Sequence, residues 1–303
     1  DVLDITNQAK STTKSNRLKS GIQEIQPAYH SAGLSAGFLE RFSSHDPDGI
    51  LGRYSSSTAT TSLNTRIASS KTVASSGIIN GMSAMVIEVY GDLMMLGASG
   101  TMCYINDNGG LFAFGHNYSE DFPPIAAPVF LAETKLFVES YQESFKNADF
   151  TDNLIGTMTI DDYNGVYFKP SGDYLMYDTR LALSLYGEDS LVYTHMVANN
   201  KVVSYEYEIS AYIPSLAINK KMTELKGKYT NVHGIITTKT SRDKTIIDTV
   251  SFNTLTSNVD IDLFDVLKDK FVDNTDHIVS QQISLSINTS TYADSVIVPI
   301  NYK

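Results

Sequence analysis

The chain has 303 residues, 42% of them hydrophobic and 19% charged, which is the balance of an ordinary folding protein and long enough for two domains with cores of their own. Its formal net charge of −11 excludes charge-driven recognition of nucleic acid or of anionic membrane surfaces, because phosphate binding needs clustered Lys and Arg. No apolar run approaches the roughly 18 residues a membrane-spanning helix requires. Cys103 is the single cysteine, so an internal disulfide is excluded, and its apolar surroundings predict a buried packing thiol. Abundant Ser, Thr, Asn and Tyr with few Lys suit an exported bacterial protein. The start at Asp1 is what removal of a presequence would leave.

In chain order, residues 1–76 form an N-terminal segment with short apolar pieces around Gly33–Leu39. Its stretch 53–76 is dominated by Ser and Thr and is expected to be a linker or a long surface excursion. Residues 77–180 are rich in strand patterns: Met85–Tyr90, Thr101–Ile105, Leu111–Phe114, Leu154–Ile160 and Gly165–Phe168, each bounded by Gly, Asp or Asn. The cluster Asn106-Asp107-Asn108-Gly109-Gly110 predicts a hairpin turn, because these residues tolerate positive φ. One helix is expected near Phe130–Phe145, although Val129-Phe130-Leu131 fits a strand equally well.

Residues 181–303 are expected to form a C-terminal β-rich domain with two helices. Leu181–Gly187, Leu191–Ala198 and Val202–Ser210 read as strands, the last alternating Val203, Tyr205, Tyr207 and Ile209 with polar residues. Pro214 suits the first turn of a helix over Ser215–Leu225 stopped by Gly227. A hairpin turning at Ser241-Arg242-Asp243 follows, then an amphipathic helix over Asp260–Phe271 with Ile261, Phe264, Leu267 and Phe271 on one stripe. Gln282–Ser290 and Ser295–Tyr302 read as closing strands. The expected class is mainly β with a few helices, α+β.

Three segments in order carry a family signature. They are Gly91-Asp92 with Gly100-Thr101 and Ala113-Phe114-Gly115-His116, then Glu143-Ser144-Phe145-Lys146, then Gly156-Thr157 through Asp161-Asp162 to Gly165-Val166. Together they resemble the SpoIVB-type serine peptidases of the chymotrypsin-like superfamily, over about residues 78–170. The resemblance implies a chymotrypsin-like β-barrel-type region ahead of the C-terminal β-rich domain. It also implies that His116 matches the catalytic histidine, the base that makes a serine hydroxyl nucleophilic. Glu120, Asp121 and Asp161 are candidates for the acid that orients its ring.

The departures bear on activity. The family's nucleophile lies in a glycine-rich GMSGSP-type segment, whose backbone also builds the oxyanion hole. That segment would precede the start of this chain, and nothing here reproduces it. Ser83, in Gly81-Met82-Ser83-Ala84, and Ser99, in Gly97-Ala98-Ser99-Gly100, are the nearest mimics. Asn117 replaces the family's proline after the histidine, and Asp162 replaces its arginine after Asp161, which would raise carboxylate pKa values there. Elsewhere, His45 with Asp46 and Asp48 lacks the ligand set of a calcium loop and reads as a solvated turn. His30, His195, His233 and His277 show no metal-ligand spacing, so no metal and no cofactor is expected. Asn117-Tyr118-Ser119 and Asn288-Thr289-Ser290 are glycosylation sequons only where a glycosylation system is met.

The sequence therefore favours an exported protein, periplasmic, cell-surface or extracellular, that resembles these peptidases but is catalytically degenerate. Its expected role is a binding or self-assembling module whose partners are proteins or further copies joined through β edges, with no nucleic acid and no membrane span. The alternative is a serine endopeptidase or autoprotease with His116 as general base and its nucleophile supplied from a segment N-terminal to Asp1.

Overall fold

The computed structural model describes residues 28–56, 71–72, 77–119, 123–138, 145–170, 173–185, 190–224, 229–253, 258–271 and 275–289. Six strands close into a barrel: β4 (Ser83–Gly91), β5 (Met95–Ile105), β6 (Leu111–Ala113), β7 (Pro128–Val138), β9 (Asn153–Asp162) and β10 (Gly165–Lys169). Every contact around the ring β4-β5-β6-β10-β9-β7 is antiparallel, and β7 returns to pair with β4. The spatial order β7-β4-β5-β6 is that of a Greek key, which the β9–β10 hairpin then closes. Small and branched side chains fill the interior, among them Ala84, Val86, Ala98, Ala113, Val129 and Val166, all buried. This is the β-barrel-type region expected in a mainly β, α+β chain.

The β4–β5 hairpin is longer than the barrel. Ser83–Val86 of β4 pair with β7, whereas Val89–Gly91 on the same edge pair with β12 (Leu191–Ala198). The sheet then continues through β11 (Met176–Leu185), β15 (Ile278–Thr289), β13 (Tyr229–Thr240) and β14 (Thr245–Asn253). The position 180/181 thus falls inside a strand, and one continuous sheet joins the two halves. On β5 the opposite edge carries β1 (Ala28–Ala32), which also pairs with the short β2 (Ser55–Ser56). Two peripheral strands complete the set: β3 (Lys71–Thr72) beside β9 and β8 (Phe145–Asp149) beside β7.

Among the described residues α2 (Val203–Glu224) and α3 (Val259–Phe271) lie against the C-terminal sheet, and α1 (Ala36–His45) packs on these two helices. The Ser35 hydroxyl caps α1 by accepting from the Phe38 amide at 3.1 Å. Phe42 of α1 meets Tyr212 of α2 and Phe264 of α3 edge-on at 5.5 and 5.6 Å, so the three helices share one aromatic contact. Among the described residues no helix is long and apolar enough to cross a membrane.

Four local expectations need correction. Phe130 and its neighbours lie in β7, not in a helix, because Val129 and Phe130 fit between β4 and β9 as a pleat buried on both faces. Val203–Ser210 belong to α2. This helix is buried nearly all round, with Tyr205, Tyr207, Ile209 and Ala211 all in the core, so it lacks the one-sided pattern that announces a surface helix. Pro214 accordingly sits inside α2 and not at its first turn. Cys103 is exposed, because the β5–β6 register shifts between Met102 and Tyr104 and this residue takes the bulge. The final strand read at Ser295–Tyr302, most of the Ser/Thr-rich stretch, and Glu120 and Asp121 lie outside the described residues.

Candidate functional site

His116 follows β6 on a loop whose entry is conformationally demanding. Phe114 and Gly115 take positive φ values of 76° and 74° in succession. Glycine adopts this freely, whereas Phe114 is held there by its surroundings. Its amide donates to the Thr101 carbonyl at 2.9 Å, and its ring lies over Gly100, where an added Cβ would come within 2.4 Å of the ring. The Gly100-Thr101 and Phe114-Gly115 motifs are therefore two halves of one packing contact.

Beyond His116 the loop is tied down by five hydrogen bonds to four side chains. The Asp161 carboxylate accepts from the Tyr118 amide at 2.6 Å and from the Ser119 amide at 3.1 Å. Tyr29 donates its hydroxyl to the Tyr118 carbonyl at 2.9 Å, and Arg53 donates to the Ser119 hydroxyl at 3.4 Å. The Tyr118 hydroxyl donates to Glu88 at 2.6 Å. Burial raises the Asp161 pKa above the usual carboxylate range, against the pull of the two amides, Lys201 and the nearby His116 ring.

Glu88 is the centre of a buried polar cluster. It occupies a bulge, since the β4–β5 register shifts between Ile87 and Val89, and this turns its side chain into the core. There it accepts hydroxyl protons from Tyr54, Tyr118 and Tyr205, drawn from the N-terminal segment, the His116 loop and α2. Burial pushes the Glu88 carboxyl up, opposed by the three hydroxyls and by Arg53. The same desolvation, with the carboxylate beside them, raises the three phenols well above their ordinary values. This cluster was not visible in the sequence, because its members are spread along the chain and none belongs to a motif.

The predicted catalytic residues do not converge. The half-buried His116 donates from Nδ1 to its neighbour's carbonyl, Asn117 O, at 2.7 Å, since a carbonyl only accepts. In the neutral ring this leaves the lone pair on Nε2, the tautomer a general base needs. No hydroxyl bonds it among the described residues, and no hydrogen bond joins it to Asp161. Ser83 is buried in β4 with its hydroxyl 2.6 Å from that of Thr134.

Ser99 is the serine that does meet a histidine. Its hydroxyl lies 2.8 Å from His30 Nε2, with both residues buried on adjacent strands β5 and β1. Burial lowers the His30 pKa to about 4, so the ring is neutral and able to accept. Sequence reasoning singled out Ser99 and left His30 alone, because a strand pairing 69 residues apart joins them. The other histidines also have partners: His45 lies 2.8 Å from Asp265, His277 2.9 Å from Glu206, and His233 3.1 Å from Ser251. Asp46 is paired with Lys268. Among the described residues no group of three or more His, Cys, Asp or Glu is placed to hold a metal ion.

Comparison of the chain with protein-family models and with curated proteins found no match, so the roles of these residues rest on geometry and chemistry alone.

Proposed function

We propose that this chain is an exported, peptidase-like β-barrel without a working catalytic centre, acting as a binding or self-assembling module. One observation carries the reading: each would-be catalytic group is engaged elsewhere. His116 Nδ1 bonds Asn117 O, both Asp161 oxygens bond loop amides, and the Ser83 hydroxyl bonds Thr134. A nucleophile, its base and the orienting acid must share hydrogen bonds to lower a barrier, and Ser83, His116 and Asp161 share none.

For assembly, the supporting feature is β14, which among the described residues pairs with β13 alone and ends the sheet. Lys270 donates to the Thr249 carbonyl at 3.1 Å, so this carbonyl points away from β13. By the alternation of a strand, the backbone groups of Thr245, Ile247 and Ser251 face outward with it. Exposed Ile247 stands on this edge and exposed Ile235 on its neighbour. An extended chain could add there by main-chain hydrogen bonds.

A second reading, serine hydrolase, is favoured by the Ser99–His30 pair. A fluorophosphonate probe combined with light scattering over a concentration series separates the two. The expected result is no labelling of the wild-type chain and a mass that grows with concentration. Labelling that disappears in Ser99→Ala and persists in Ser83→Ala would establish the hydrolase. A strictly monomeric, probe-reactive protein would overturn the proposed module.

A further inference from the structure

Four polar side chains lie side by side in the C-terminal sheet, beneath α2. His195 of β12 stands opposite Thr179 of β11, Thr179 opposite Gln281 of β15, and Gln281 opposite Thr238 of β13. Residues in cross-strand register share a face, and all four are at most 2% exposed. The same face carries Tyr177, whose hydroxyl bonds Ser210 and the Glu206 carbonyl of α2, which places the row under that helix.

Within the row only one bond is made, from the Gln281 amide to the Thr238 hydroxyl at 3.3 Å. His195 Nδ1, Thr179 Oγ1 and Gln281 Oε1 are buried without a protein partner. The Thr179 hydroxyl sits close enough to that of Tyr177 to lower the phenol's pKa, in a contact that falls outside full hydrogen-bond geometry. The Thr238 hydroxyl takes only one polar atom of the Gln281 amide, so in either orientation the other is left without a protein partner. Buried polar atoms are almost always satisfied, and three neighbours left bare together would each carry a full desolvation penalty.

The proton inventory shows what would satisfy them. The Leu93 amide donates to His195 Nε2 at 3.1 Å, so in the neutral ring the proton sits on Nδ1. The row therefore presents a donor at His195, a donor and acceptor at Thr179, and an acceptor at Gln281. A molecule that both donates and accepts, small enough to sit between adjacent strands, completes this sequence. We propose that the row is an internal water site, holding a short file of one or two waters that bridge His195 Nδ1 to Thr179 and Thr179 to Gln281. The water on Nδ1 holds the tautomer that accepts from Leu93, and so helps fix the Gly91-Asp92-Leu93 turn.

A crystal structure at about 1.8 Å resolution or better is expected to show water density within hydrogen-bond distance of His195 Nδ1 and Thr179 Oγ1. Thr179→Val supplies a second readout of opposite sign for a wet and a dry row. Removing a water ligand while keeping shape lowers the Tm of the full chain by about 2–4 °C, whereas removing a bare hydroxyl raises it. Empty density along the row, or a Tm that rises in Thr179→Val, overturns the proposal.

Discussion

His195 gives the clearest test of the electrostatics of this core. Burial lowers its pKa from the ordinary 6.5 to about 4, with Asp92 opposing the shift and Lys220 adding to it. The geometry supplies the reason: Nε2 already accepts the Leu93 amide, so a second ring proton must break that bond. Between pH 6.5 and pH 4 the unfolded ring binds a proton that the folded ring refuses, so stability rises with pH across this window. The contribution is fully present above pH 6.5 and is lost as the pH falls towards 4. At pH 5 the loss from this one group is about 2 kcal/mol, from about 1.4 kcal/mol per pH unit over the part of the window crossed.

The perturbation is His195→Gln, whose amide oxygen can still accept from Leu93 but does not titrate. Urea unfolding followed by circular dichroism at about pH 7.5 and about pH 5 should show the wild type losing about 2 kcal/mol more than the variant. His30, the other histidine held near 4, titrates in both proteins and cancels from the difference. Parallel stability profiles for the two proteins would refute the assignment of a buried, neutral His195.

Glu88→Gln should cost about 3 kcal/mol in urea unfolding, because an amide nitrogen replaces one acceptor facing three phenol donors. Its pH dependence runs opposite to that of His195. The raised Glu88 pKa gives stability that is present at low pH and lost as the pH rises above the ordinary 4.5, so the deficit of the variant should shrink on the alkaline side. Asp161→Asn keeps one acceptor for two amides, and should speed hydrogen exchange at Tyr118 and Ser119 by about 10-fold, with about 1–2 kcal/mol lost. Unchanged exchange would mean that the loop does not depend on this carboxylate. Lys270→Ala uncovers the Thr249 carbonyl on the open edge of β14 and should raise the light-scattering mass at a given concentration, whereas an unchanged mass would remove β14 as the contact.

What was legible in the sequence was local. The strands of the barrel announced themselves through turn residues such as Asn106–Gly110, where Asn106 indeed bonds back across the turn, and α3 announced itself by its stripe. What was hidden depended on burial or on distant pairing. α2 is buried on nearly every face, so its tyrosines fell by chance into the alternation of a strand. The outward turn of Cys103 and the inward turn of Glu88 both follow from bulges, one extra residue in a ladder, which no composition betrays. His30 reaches Ser99 only because β1 adds to the far edge of β5.

The residues of the proposed peptidase-like motifs each have contacts of their own. Gly100 leaves room for the Phe114 ring, and Gly156 lies where a Cβ would strike the Lys169 carbonyl at 2.2 Å. Gly91 lies under the His195 ring, with 2.3 Å left for a Cβ, while Asp92 beside it accepts from the Thr194 amide at 2.7 Å. Asp161 holds the loop that presents His116. Each of these residues has a sufficient physical reason to be what it is in closing the barrel or anchoring its loop. Such reasons persist whether or not a reaction takes place, because they act on the fold and not on a substrate. His116 stands apart: among the described residues its one hydrogen bond is to its own neighbour's carbonyl, while its ring meets that of Phe114 edge-on at 6.0 Å. Any chemistry of this loop therefore rests on that one ring and on what approaches its Nε2, while the surrounding motif attests to architecture.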